Sequence, residues 1–214
     1  GVLPRMRSAE SILGEIKLLK QRYGFEKFGL ECDYFLFDKL KIKQLCDLLL
    51  KEKLSIVWKT STRIEDVDPS LINFMAKAGC RLILFGIESA SPFIQRIIDK
   101  KLNFSFITKL LSACDKNGID SFLAFIVGFP DEKIEDLEKN IRLVTELQQI
   151  VKCDVRFNYL SPLPGTILYE RHKKELILAS NILRGGTFPQ PTVNLKQNQR
   201  LIKKYPLIFS GFYA

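Results

Sequence analysis

The residues of this chain with chemistry to offer gather where apolar runs end. "RLILFGIES" closes on Gly86, Glu88 and Ser89, and "LSIVWKTSTR" closes on Thr60, Ser61, Thr62 and Arg63. "KFGLECDYF" carries Glu31, Cys32 and Asp33, and "SFLAFIVGFP" carries Val127 and Gly128. "CDVRFNYLSPLPG" carries Asn158, Tyr159 and Ser161. Carboxylates suit an ammonium group and sugar hydroxyls, and a guanidinium suits a carboxylate. Open backbone with apolar side chains suits a flat base. Together they describe a cup for a small zwitterion bearing a sugar and a base. Each member also has a plainer use. Ser89 or Ser91 can cap the helix after Pro92. Asp33 and Gly128 can be turn residues, and Arg63 can pair with Glu65 or Asp66 for little gain.

The elements that would bring these residues together alternate. Ser8 opens a helix in which Ile12, Ile16, Leu19 and Tyr23 recur at helical spacing before Gly24 stops it. Asp38 opens a second, with Leu45, Cys46, Leu48 and Leu49 on its apolar face. Asp68 and Pro69 open a third, closed by Gly79. Pro92 starts another helical stretch, and Asn103 to Asn117 predicts a further helix. Asp131 precedes a long helix with Ile134, Leu137, Ile141, Val144 and Leu147 in register. The five apolar runs between them read as strands. Strand and helix in alternation predict βαβ units and a parallel sheet, open or closed into a barrel. In such folds ligands sit at the carboxyl ends of the strands, where the polar residues fall. The pattern weakens after Pro164, with "LKQNQRLIKKY" read as a short helix before an aromatic tail.

Length and composition narrow the class. The 214 residues are 46% hydrophobic and 27% charged, the balance of a globular domain with a well-buried core. No apolar run of about 18 residues or more exists, so no membrane span is expected, and no secretory leader is read. The five cysteines are widely spaced, with no C-x-x-C pair, which predicts free thiols in a reducing cytoplasm. His172 has no histidine partner for a zinc site and reads as a surface residue, so no metal ligand is assigned. The net charge of +9 can attract nucleic acid or an acidic partner. The lysines of "KLKIKQLCDLLLKEK" are interleaved with leucines, however, as on the solvated face of an amphipathic helix.

"RMRSAESILGEI", "FGLECDYFLFD", "AGCRLILFGIESAS" and "FLAFIVGFPDEKIEDLEKNI", in this order and spacing, resemble the radical S-adenosylmethionine (radical SAM) superfamily. The likeness is to the Elongator-like branch that often follows a cobalamin-binding domain, and "YLSPLPGTILYE" resembles the family's proline-rich turn. The resemblance implies a partial TIM-like (β/α) barrel of six strands, of which this chain would supply the second to sixth. Residues 1–166 would be the core without its first strand and cluster loop, and 167–214 a C-terminal extension. It implies S-adenosylmethionine and a [4Fe-4S] cluster as cofactors. The family's C-x-x-x-C-x-x-C is absent from this sequence. The cluster ligands are therefore expected in a segment before Gly1, where the likeness allows a cobalamin domain as well. The other reading is a truncated product without radical chemistry, and the 214 residues by themselves are expected to be inactive.

By the same resemblance, Glu88 and Ser89 would lie near the ribose and methionine moiety, and Arg63 near the methionine carboxylate. Asp33 would lie near the methionine amine or the substrate. Val127 and Gly128 would meet adenine through their backbone, and Tyr159 and Leu160 would pack on it. The implied activity is reductive cleavage of S-adenosylmethionine to a 5′-deoxyadenosyl radical, with cobalamin-dependent methyl transfer as one version and RNA among the substrates. A reductant such as flavodoxin or ferredoxin would be a partner. Two other readings stay open. One is a cluster-free β/α-barrel lyase with Asp33, Glu31 or Glu88 as its base. The other is a non-catalytic basic module for RNA or an acidic peptide.

Overall fold

The computed structural model describes residues 7–31, 36 and 38–174. Helix α1 spans Ala9–Tyr23, capped by the Ser8 hydroxyl, which accepts the Ser11 N–H. Gly24, in the left-handed region at φ 69°, ends it. The rest run β1 (Lys27–Leu30), α2 (Lys39–Lys51), β2 (Val57–Arg63), α3 (Pro69–Lys77) and β3 (Cys80–Glu88). Then come α4 (Pro92–Ile97), α5 (Phe104–Lys116), β4 (Asp120–Val127), α6 (Ile134–Ile150), β5 (Asp154–Tyr159) and α7 (Ile167–His172). Asp38 and Asp68, read from the sequence as helix openers, and Ser91, one of the two caps offered for α4, accept backbone N–H groups of the first turn. So does Asn103, which the sequence places inside its helix.

The five strands form one sheet in the order β1-β2-β3-β4-β5, with parallel pairing of β1 with β2 and of β2 with β3. Spatial order follows chain order, and a helix lies between each strand and the next. This is the expected α/β architecture of a β/α barrel segment. β1 is shorter than the apolar run suggested, ending at Leu30. Asp33 and Cys32 lie outside the described residues, as does the helix expected in "LKQNQRLIKKY". α7 is an addition: Thr166 caps it, but it buries none of its residues, so no apolar period announced it. No described helix is long and apolar enough to cross a membrane.

The chain divides into two compact units. The first comprises Gly1–Ile87, Leu102–Leu123 and Val144–Val155. Its core includes Ile42, Leu45 and Leu49 of α2, Ile72 and Met75 of α3, Ile83 and Phe85 of β3, and Leu110 and Leu111 of α5. Trp58 of β2 is fully buried, and its Nε1–H donates to the Ala78 carbonyl at 2.8 Å. The approach at this point is close. A Cβ on Gly79, at φ 95°, would stand 2.1 Å from the Ile56 carbonyl oxygen, so glycine is required by both backbone angle and space.

The second unit comprises Glu88–Lys101, Ala124–Leu143 and Arg156–Ala214. Phe125 and Phe157 stack in its interior with centroids 5.0 Å apart, and Ile94, Val127, Phe129 and Leu137 are buried in the same unit. It also buries polar groups: Ser89, Ser91, Lys100, Glu132, Asp136 and Asn140. Burying such groups is costly without hydrogen-bonding partners, and the partners they find define the candidate site.

Candidate functional site

In the second unit β3 ends on Glu88, whose backbone lies in the left-handed region at φ 63°. For a residue other than glycine this conformation costs about 1–2 kcal/mol. Hydrogen bonds to the next three residues hold it in place. The Ala90 N–H donates to Asn140 Oδ1 at 2.5 Å, and the Ser89 hydroxyl donates to the same oxygen at 3.2 Å. The Ser91 N–H donates to Ser89 Oγ at 3.1 Å, and the Ser91 hydroxyl donates to Asp136 Oδ1 at 2.5 Å. Ser91 Oγ in turn accepts the Phe93 N–H at 3.2 Å, opening α4.

Glu88 itself is half-buried, and its Oε1 lies 3.2 Å from Lys100 Nζ. The lysine side chain is 6% exposed and that of Glu88 24%, so the ammonium lies inside while the carboxylate reaches solvent. The Lys100 N–H donates to the Gln95 carbonyl at 2.8 Å, tying this backbone to the end of α4.

β4 ends on Val127, whose carbonyl accepts the Leu160 N–H at 2.8 Å. Gly128 is next, at φ 91°, and its N–H donates to Glu132 Oε2 at 2.5 Å. Glu132 is buried. Desolvation pushes its carboxyl up to about 7, against the Gly128 N–H, which favours the charged form; the neighbouring Asp136 charge pushes it further up. Asp136 moves the other way. Burial opposes its ionisation, but the Ser91 hydroxyl, the Lys133 N–H and the Lys139 ammonium together hold it below the ordinary value. Tyr159 and Leu160 are half-buried.

In the first unit Arg63 stands in register with Gly86, and its Nη2 lies 3.1 Å from Glu65 Oε1, the pairing that the sequence offered as an alternative. The Ser61 hydroxyl donates to Glu31 Oε2 at 2.8 Å, and Lys59 Nζ is 3.6 Å from Glu31. The Thr60 hydroxyl donates to the Leu30 carbonyl. Glu31 is thus engaged from β2 by two side chains.

Sequence reasoning missed Lys100, Glu132, Asp136 and Asn140. A signal for the last two was present. Asp136, Asn140, Leu143 and Leu147 succeed one another at helical spacing, and all four are buried on α6. Ile134, Ile141 and Val144, expected on the buried face, are half-buried instead.

The described thiols do not suit an iron-sulfur cluster. Cys46, Cys80, Cys114 and Cys153 are all buried and unpaired, and no group of three or more potential metal ligands occurs among the described residues. Burial pushes the Cys46 thiol up to about 12 and the Cys114 thiol up to about 11, and raises those of Cys80 and Cys153. Cluster ligands are thiolates, which form at low pKa.

Residues 1–144 match the family model described as the radical SAM superfamily. The chain belongs to the radical SAM superfamily. Members of this family use S-adenosylmethionine and a [4Fe-4S] cluster. The "uncharacterized methyltransferase PH0819" of Pyrococcus horikoshii is 29% identical over 98% of this chain and 45% of its own length. The "anaerobic magnesium-protoporphyrin IX monomethyl ester cyclase" of Rubrivivax gelatinosus is 25% identical over 66% of this chain and 26% of its own. The chain thus spans less than half the length of these curated relatives. Among solved structures, the radical S-adenosylmethionine methyltransferase TsrM from Kitasatospora setae, with cobalamin and a [4Fe-4S] cluster bound, superposes with a TM-score of 0.69. It shares 16% identity and covers 89% of this chain and 39% of that one, a likeness of fold.

Proposed function

We propose that this chain is the S-adenosylmethionine-binding part of a radical SAM enzyme, in its fullest form a cobalamin-dependent methyltransferase. The observation that carries the reading is Glu88: a partly exposed carboxylate at a strand's carboxyl end, on strained backbone held by buried hydrogen bonds. Strain of this kind persists where the surroundings over-determine it, and it clusters at functional sites.

In this reading the Glu88 carboxylate accepts hydrogen bonds from the ribose hydroxyls. Lys100 fixes one of its oxygens and so narrows the directions open to the other. Ser89 holds the turn beside it. Val127 and Gly128 are the proposed backbone partners of the adenine edge, as the family resemblance implies. The Val127 carbonyl accepts the Leu160 N–H and the Gly128 N–H donates to Glu132, so the Gly128 carbonyl is the group that would meet the base, with Tyr159 and Leu160 packed on it. S-adenosylmethionine supplies the adenosyl and methyl groups on which the family's chemistry operates. The described thiols do not suit the cluster, so what these residues do is bind and orient S-adenosylmethionine. A reducing cytoplasm with a flavodoxin or ferredoxin suits this assignment. The methyl-transfer version takes its support from the name of the Pyrococcus relative.

The test is the affinity of the full-length protein, prepared anaerobically, for S-adenosylmethionine by equilibrium dialysis. Glu88→Ala removes charge-assisted hydrogen bonds and should weaken binding about 10- to 100-fold. An unchanged affinity removes Glu88 from the site. No binding to the unsubstituted protein refutes the reading altogether.

A further inference from the structure

We propose that Asp136 and Asn140, one turn apart on α6, are positioning residues that set the direction of the Glu88 carboxylate. The inference rests on the reading of Glu88 as a contact to S-adenosylmethionine.

The turn Ser89–Ser91 has no regular structure to hold it, yet Ser89 and Ser91 are completely buried. Its polar groups are met from α6. Asn140 Oδ1 receives both the Ala90 N–H and the Ser89 hydroxyl, and Asp136 Oδ1 receives the Ser91 hydroxyl. Two side chains at i and i+4 project from one helix face. They therefore grip the turn at two places a fixed distance apart. The residue immediately before the gripped segment is Glu88, and its left-handed φ is what the chain must adopt to leave β3 and enter that grip.

The choice of residue types fits this role. The Ala90 N–H requires an oxygen, which fixes the orientation of the Asn140 amide. A neutral acceptor there adds no second buried negative charge next to Asp136, which lies one turn away. Asp136 is anchored in turn: its Oδ2 accepts the Lys133 N–H at 3.0 Å at the start of α6, and Lys139 Nζ lies 3.2 Å from Oδ1. Its carboxylate bonds both its own helix and the Ser91 turn. Neither residue is assigned a contact to the ligand; each acts through the backbone of residues 88–91.

A residue that only stabilised the fold would lower the melting temperature and affect ligand affinity independently of Glu88. A positioning residue is coupled to it. The experiment is a double-mutant cycle on S-adenosylmethionine affinity in the full-length anaerobic protein, measured below the melting temperature of every variant. Asn140→Ala should weaken binding about tenfold in the unsubstituted background and less than about twofold in the Glu88→Ala background, since hydrogen-bond networks are coupled in this way. Asp136→Ala should behave likewise. Asp136→Asn keeps one oxygen, enough for the Ser91 hydroxyl but not for the Lys133 N–H as well, and its affinity should fall between those of Asp136→Ala and the unsubstituted protein. If Asn140→Ala does not fold, the two Asp136 variants read the same coupling. Equal losses in both backgrounds overturn the proposal while leaving Glu88 as a ligand contact. A Glu88→Ala protein with unchanged affinity overturns both.

Discussion

Trp58→Ala should lower the unfolding free energy by about 3–5 kcal/mol, the range for truncating a fully buried aromatic. Two losses combine. The indole leaves a cavity in the interior of the first unit, where it is 1% exposed. The Ala78 carbonyl also loses the Nε1–H that now donates to it at 2.8 Å. Trp58→Phe separates them. It keeps most of the apolar volume but not the donor, and should cost about 1–3 kcal/mol. Trp58 is the single tryptophan, so circular dichroism in urea is the suitable probe. A loss below about 1 kcal/mol for the alanine variant, with an unchanged denaturant slope, would show that the site collapses around the missing ring.

The second large effect concerns pH. The Glu132 carboxyl is pushed from its ordinary 4.5 up to about 7. Between those values the folded protein retains a proton that the unfolded chain has released. The native state therefore binds more protons, and stability falls as pH rises through this window. The contribution is fully present below about pH 4.5 and lost above about pH 7, a change on the order of 3 kcal/mol. Glu132→Gln cannot titrate, so its stability should lack this part of the decline between about pH 4.5 and 7. Urea unfolding of both proteins at each pH gives the difference curve; parallel curves would mean that Glu132 titrates normally in the folded protein.

β4 was legible as a continuous apolar run, buried at Leu123, Ala124, Phe125 and Val127, the mark of a strand covered on both faces. β1, β2 and β5 are shorter on apolar residues, and it was their alternation with helices that marked them. Helix starts were legible because Ser8, Asp38 and Asp68 each stand just before a run of helical period, where a side-chain acceptor is needed. α7 was not, because it buries nothing and so leaves no period to read. The Asp136–Asn140 pair was hidden for the opposite reason. A search for apolar residues at helical spacing passes over a buried stripe interrupted by polar ones. The Glu88 backbone was illegible in principle. Nothing in "GIES" distinguishes an extended glutamate from one at φ 63°, since the difference is imposed by a residue far along the chain, Asn140. Ser89 shows the same limit. Its type allowed a cap or a ligand contact, and its hydroxyl is bonded to Asn140.

The left-handed backbone at Glu88 has an evolutionary consequence. Glycine is the residue that such a φ favours, and it has no carboxylate. Position 88 is thus a point where foldability and ligand recognition demand different residues. Glu88→Gly should be more stable to urea than Glu88→Ala by about 1 kcal/mol, although both lack the acid. A chain freed from selection for S-adenosylmethionine would be expected to drift toward glycine here. Retention of an acidic residue in relatives would mark those in which the site is still under selection.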